Sequence, residues 1–257
     1  MAHFTGPCLT LAGPGSGKTH TLTCRIRHLI DRHQVPPEKI LVITFTRAAA
    51  MEMRQRFVSL MGEDLPVVFG TFHSVFFRML QEEYGLESDA LATGKMRLQL
   101  LREAASRCHV KSDRQDFFQV ISREFSYIKN TGIDPAEYHS REFPGIPMGR
   151  FFDAYEEQKE VYGLLDFDDM LTKPLSMFRE NPRILERWRG RFSFYLLDEV
   201  QDMNRLQFQI IRLLAHPHNN LFAVGDDDQS IYAFRGADPG LMLEFPKYYP
   251  DCRKILL

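Results

Sequence analysis

Only four cysteines occur in the 257 residues, Cys8, Cys24, Cys108 and Cys252, and no two of them form a C-x-x-C pair. Neither a zinc site of the usual spacing nor a disulfide framework is therefore expected, and four reduced thiols are the plain reading. Long apolar runs are missing as well: none approaches the roughly 18 residues that a membrane-spanning helix needs. The N-terminus carries no basic stretch leading into an apolar one, so no export signal is visible. These absences predict a soluble, cytoplasmic protein with no membrane partner. A large excess of one charge is also lacking, since the net charge is −2, and composition alone gives no sign of a nucleic-acid partner. With 44% hydrophobic and 26% charged residues, the chain has enough apolar material for a substantial core, and composition gives no indication of disorder. No internal repeat or low-complexity segment is present.

What charge there is lies unevenly. Residues 1–60 hold Lys18, Arg25, Arg27, Arg32, Lys39, Arg47, Arg54 and Arg56 against Asp31, Glu38 and Glu52. Such a run reads either as a solvated helix face or as a surface for an anionic partner, and charge alone does not choose.

Short apolar runs alternate with helical patterns at both ends of the chain, which is the mark of a parallel α/β sheet. Strands are expected at Cys8–Ala12, Ile40–Phe45, Val67–Gly70, Phe192–Leu197, Leu221–Val224 and Lys254–Leu257. Helices are expected near Gly17–Arg32, Arg47–Met61, Thr71–Tyr84 and Asn204–Ala215. The middle differs. Leu98, Leu101, Ala105 and Cys108 recur at helical spacing, as do Phe117, Ile121, Phe125 and Ile128, with breakers at Thr131-Gly132 and Phe143–Pro147. Residues 1–86 and 165–257 thus read as one α/β domain, and residues 87–164 as an all-helical insertion subdomain.

The sharpest local signal is Ala12-Gly13-Pro14-Gly15-Ser16-Gly17-Lys18-Thr19. It follows an apolar strand and opens a helix, the context in which a P-loop wraps phosphate. Glycines let successive N–H groups point at phosphate oxygens, and the helix dipole favours the anion. Lys18 can reach the β- and γ-phosphates of ATP, and the Thr19 hydroxyl can ligate Mg²⁺. The complement is Leu196-Leu197-Asp198-Glu199, an apolar strand ending in two carboxylates, one suited to the metal and one to orienting water. His216-Pro217-His218, without cysteine or carboxylate partners, reads as a solvated loop. With 21 phenylalanines, most must be core, so any aromatic contact to a ligand competes with packing.

Beyond these two signals, Asp198–Asp202 and Val224–Ala237 resemble motifs II and III of the UvrD/Rep branch of superfamily 1 DNA helicases. Ile43–Ala49 resembles motif Ia, Gly70–Ser74 motif Ib, and Asp166–Leu171 a further motif of the same family, all in family order. The resemblance implies a RecA-like P-loop NTPase fold with a helical insertion, and an ATP- and Mg²⁺-dependent motor that moves on single-stranded DNA. It implies Asp198 as the Mg²⁺ carboxylate, Glu199 as catalytic base and Gln229 as a γ-phosphate sensor, with Lys18 among the catalytic groups. His20 stands where many members carry the arginine that helps hold the base. Thr44, Phe45, Thr46, Arg47, Thr71, Tyr232, Phe234 and Arg235 match the family's single-strand contacts, although Phe45, at the end of an apolar strand, can equally be core.

Several positions depart from the family pattern. Val200 replaces an aromatic, Phe234 replaces a common tryptophan, and only eleven residues precede Ala12, leaving no room for an upstream adenine-reading glutamine. Motif IV would begin past Leu257, so a second RecA-like domain is expected to be missing from this chain. Two alternatives stay open: a non-catalytic nucleotide- and DNA-binding fragment, and part of a helicase–nuclease subunit. A small-molecule P-loop kinase has no need of the motif III segment.

Overall fold

The computed structural model describes residues 3–13, 15–226 and 240–257. They form two compact units, Met1–Val75 with Leu175–Leu257, and Phe76–Pro174. The first unit contains β1 (Cys8–Leu11), α1 (Lys18–His33), β2 (Ile40–Thr44), α2 (Arg47–Met61) and β3 (Val68–Thr71). Helix α3 (Phe72–Tyr84) then leads into the second unit, which holds α4 (Gly94–Arg107), α5 (Phe117–Thr131) and α6 (Met148–Val161). Helix α7 (Asp169–Glu180) leads back to α8 (Pro182–Arg189), β4 (Phe194–Leu197), α9 (Arg205–Ala215), β5 (Leu221–Gly225), α10 (Gly240–Tyr248) and β6 (Arg253–Leu256). The units divide within α3 and α7, whereas the sequence expectation put the divisions at 86/87 and 164/165. Breaker residues mark where helices end, and compactness follows side-chain packing instead.

The six strands form one parallel sheet in the order β3-β2-β4-β5-β1-β6. All five residues of β2 are buried, as expected for a strand covered on both faces. On one face Ile40, Val42, Phe194, Leu196, Phe222 and Val224 pack with Leu22, Ile26 and Leu29 of α1 and Met53 and Phe57 of α2. The other face presents Leu41, Ile43, Leu197 and Ala223, all buried. There the Tyr195 hydroxyl donates to the Leu214 carbonyl of α9 at 3.2 Å. Helix α2 starts at an N-cap, with Thr46 accepting from the Ala49 N–H at 3.1 Å, and stops at Gly62 with φ of 78°. Three further helices of the described residues, α7, α8 and α10, are not among the expected ones. Pro174 and Pro246 sit inside two of them.

The basic run of residues 1–60 is partly spent on internal pairing. Arg25 is buried and donates to the carbonyls of His3 and Phe4. Arg27, Arg54 and Arg56 pair on the surface with Asp31, Asp64 and Glu52.

Of the residues whose spacing announced the helical unit, Leu101, Ala105, Phe117, Ile121, Phe125 and Ile128 share one core with Phe151 and Tyr155, Cys108 packs against it, and Leu98 is only half-buried. Beside that core lies a buried ionic cluster. Asp166 and Asp169 each accept the other's backbone N–H, at 3.0 and 2.8 Å. Two ammonium groups sit between them: Lys129 at 2.8 and 2.7 Å, and Lys159 at 3.1 and 2.6 Å. Glu156 pairs with both lysines, and the Tyr155 hydroxyl donates to Asp166. Asp168 accepts from Ser126 and Asn130 at 2.6 and 2.8 Å. The segment Asp166–Leu171 therefore knots α5 and α6 to the start of α7.

Candidate nucleotide site and flanking strand edge

Adjacent parallel strands β4, β5 and β1 end side by side, and the crevice at the carboxyl edge of such a sheet is where α/β proteins place ligands. After β1 the chain turns through residues 12–17. Ala12 donates its N–H to the Gly225 carbonyl at 2.9 Å, which fastens the turn to the end of β5. Gly15 and Gly17 adopt φ of 71° and 89°, the left-handed region that glycine enters without strain. Gly17 is also the N-cap of α1, and no side chain caps that helix. The first-turn N–H groups of a 16-residue helix are thus left to an outside acceptor. Gly13, Gly15, Ser16 and Gly17 are exposed, and Lys18 and Thr19 half-buried.

Lys18 reaches across to β4, its Nζ lying 2.9 Å from Glu199 Oε2 and 4.0 Å from Asp226 Oδ2. Glu199 follows the end of β4 with φ of 50°, a left-handed conformation uncommon for a side-chain-bearing residue and frequent at functional sites. Asp198 is buried, and its Oδ1 accepts no hydrogen bond among the described residues. Burial, and then the charge of Glu199, push its carboxyl up to about 7 against the pull of Lys18. Asp202 is raised to about 6 by the same two causes in the same order. A buried carboxylate with one oxygen unpartnered among the described residues, beside an uncapped helix start and a glycine turn, fits a metal-bound polyphosphate.

His20 lies exposed on the first turn of α1, its ring nitrogen 3.4 Å from Cys24 Sγ. All four cysteines are free.

At the same carboxyl edge, β2 and β3 end in register, with Thr44 opposite Thr71. Thr44 is buried and donates to the Thr46 carbonyl at 2.9 Å, while Phe45 is half-buried and Thr46 and Arg47 are exposed. Thr71 and Ser74 lock each other: the Thr71 N–H donates to Ser74 Oγ at 2.8 Å, and the Ser74 N–H to Thr71 Oγ1 at 3.2 Å. Gly70 is required there, since a Cβ would lie 2.8 Å from Val75 Cγ2. Burial lowers the His73 pKa to about 4, so this residue is neutral at pH 7.

Pro14, Gln229, Tyr232, Phe234 and Arg235 lie outside the described residues. One residue inside the Asp198–Asp202 segment is given no role by motif reading. Gln201 is buried, donates Nε2–H to Glu199 Oε2 at 2.7 Å and accepts the Asp226 N–H on Oε1 at 3.0 Å. Its reach depends on β4 and β5 being neighbours, which the strand order alone discloses.

Strand order, glycine turn and acidic strand end together define a P-loop α/β domain of RecA-like architecture. The model of the UvrD/REP helicase N-terminal domain matches residues 1–250, and the chain belongs to this family. It is 37% identical over 259 residues to the putative ATP-dependent DNA helicase YjcD of Bacillus subtilis, covering 98% of this chain and 34% of that protein. It is 35% identical over 260 residues to the ATP-dependent DNA helicase PcrA of Staphylococcus epidermidis, covering 98% and 35%. The chain thus spans about a third of the length of the curated relatives it matches. No helix among the described residues is long and apolar enough to cross a membrane.

Proposed function

We propose that this chain is the Mg-ATP-binding part of a DNA-dependent motor acting on single strands. The observation that carries the reading is the convergence of Lys18, Glu199 and the buried Asp198, whose Oδ1 has no partner among the described residues, beside the uncapped start of α1. In this reading residues 12–17 and His20 surround the nucleotide, Lys18 neutralises its terminal phosphates, and Thr19 and Asp198 hold Mg²⁺. Bound Mg-ATP supplies the phosphoryl group that is transferred to water. Glu199 orients that water and takes its proton, and Gln229 responds to the terminal phosphate. Unwinding would require the further chain that the relatives possess.

Calorimetric titration with a non-hydrolysable ATP analogue tests the site. Lys18→Ala and Asp198→Ala should each weaken Mg-nucleotide binding at least tenfold, about 1.4 kcal/mol. Glu199→Gln should bind nearly as wild type, because the base acts on water. Wild-type affinity in Lys18→Ala would remove the P-loop assignment. Because Asp198 must be ionised to hold a cation, and its free carboxyl titrates at about 7, the Mg²⁺-dependent part of the affinity should fall below that pH. The expected slope is up to about tenfold per pH unit.

The single-strand path in this reading runs over Thr44, Phe45, Thr46, Arg47 and Thr71, with Tyr232, Phe234 and Arg235 extending it. A stacking role for Phe45 predicts that Phe45→Ala loses about 1–3 kcal/mol of oligothymidine affinity. A phosphate contact by Arg47 predicts that Arg47→Ala flattens the salt slope by about 0.7. Fluorescence anisotropy at several salt concentrations separates these. If Phe45→Ala binds normally but melts early, the residue is core.

A further inference from the structure

We infer that Gln201 is the positioning residue for Glu199, tying the base to the backbone at Asp226. The inference rests on the reading of Glu199 as the base. Glu199 Oε2 takes two donors: the Lys18 ammonium at 2.9 Å and the Gln201 carboxamide at 2.7 Å. These two donors differ in what happens when nucleotide arrives. Terminal phosphates compete for Lys18, which carries the only charge of the pair and is the natural phosphate ligand. Gln201 is neutral and buried, so it offers no charge for the phosphates to compete for. It is the donor that stays, and it keeps the carboxylate from rotating once the ammonium has turned away.

The orientation of the carboxamide is fixed by chemistry. Its NH₂ faces a carboxylate and its oxygen faces the Asp226 N–H, at 3.0 Å. A flip would set NH₂ against N–H and oxygen against carboxylate, losing both bonds. Gln201 is thus a two-ended strut from the end of β4 to the first residue after β5. Asp226 opens the segment that leads to Gln229, so a change there can be felt at the base through one side chain. Gly225 makes room for the strut: a Cβ at this position would stand 2.8 Å from Gln201 Oε1 and 3.0 Å from Met242 Sδ. Gly225 has no left-handed backbone angle that would call for glycine, so close packing against Gln201 and Met242 is what leaves no space for a side chain there.

The test combines single-turnover ATP hydrolysis, with protein in excess, and hydrogen exchange at the Asp226 amide. Gln201→Leu keeps the volume and removes both bonds. It should slow hydrolysis about 10²-fold, the usual effect of a displaced catalytic group, while analogue affinity stays within threefold. Its Asp226 amide should exchange at least tenfold faster than in wild type. In a Glu199→Gln background the same change should cost no further rate, because Gln201 acts only through the base. Gly225→Ala leaves every donor in place and should reproduce the slow rate by pushing the strut aside; it serves if Gln201→Leu does not fold. The inference is overturned if Glu199→Gln slows hydrolysis but Gln201→Leu and Gly225→Ala do not. It is equally overturned if the losses at Gln201 and Glu199 multiply, or if the Asp226 amide stays protected in Gln201→Leu. Unchanged hydrolysis in Glu199→Gln would instead sink the base assignment, leaving the exchange result to judge the strut.

Discussion

Lys159→Met should lower the unfolding free energy by about 3–5 kcal/mol, the usual penalty for leaving a buried charge uncompensated. Lys159 is 2% exposed, and its ammonium sits on Asp166, Asp169 and Glu156. Removing it leaves Lys129 as the one ammonium group set against three carboxylates, with Arg97 acting on Asp166 through its charge. The methionine fills the space but solvates nothing. Urea titration followed by far-ultraviolet dichroism would read the loss as a lower midpoint, and an unchanged midpoint would mean that water reaches the cluster. The cluster also sets an acid limit. Desolvation opposes ionisation of Asp166, but the two lysines outweigh it and hold the carboxyl below its usual range. A lowered carboxyl pKa contributes stability above the unfolded value of about 3.9 and loses it as pH falls toward the folded one. Lys129 is shifted upward: desolvation works against its charge, and Asp166, Asp169 and Glu156 overcome that. Its contribution is complete below the unfolded lysine value of about 10.4 and fades above it. The wild-type cluster should therefore act at full strength between about pH 5 and 9, and Lys159→Met should narrow that window from the acid side.

That cluster shows where motif reading and structure part company. Asp166–Leu171 matches a helicase motif, yet in this chain its aspartates are consumed by Lys129, Lys159, Ser126 and Asn130, partners that no sequence pattern announces. The sheet was far more legible. Ile40–Ile43 is apolar on both faces, as a buried parallel strand must be, and Thr46 with Gly62 brackets α2 by ordinary capping chemistry. The phosphate turn was legible for the same reason: its glycines, Lys18 and the following helix form a local unit. Glu199 could be found from strand-end acids, but its two donors could not. Lys18 lies 181 positions away, and Gln201 finds Asp226 only because β5 is laid beside β4. Strand order is a long-range property, and periodicity carries no information about it.

By itself, this 257-residue chain should turn over ATP below about 0.01 s⁻¹, roughly 10³-fold or more under an ordinary motor. Lys18 stands at the proposed phosphate position and is engaged by Glu199 at 2.9 Å. Binding must therefore first break an ion pair that is itself half-sheltered. The turn that would hold the phosphates has Gly13, Gly15, Ser16 and Gly17 exposed, so water screens whatever charge Lys18 and a metal supply. Arginines inserted from a second domain or partner are worth about 10³–10⁵ in rate for phosphoryl transfer, or roughly 4–7 kcal/mol of barrier. Glu199 and Gln201 can be correctly set and still depend on positive charge to neutralise what develops on the transferring phosphoryl group. Opening and closing around nucleotide, on which translocation depends, likewise needs two bodies that grip the strand in turn. Phosphate release from the purified chain, with and without oligothymidine, measures this directly. The expected trace is a slow line scarcely changed by DNA. Turnover above about 1 s⁻¹ that vanishes in Glu199→Gln would show that the chain completes its own site, either alone or through a second copy, and a linear rise of specific activity with protein concentration would identify the second copy.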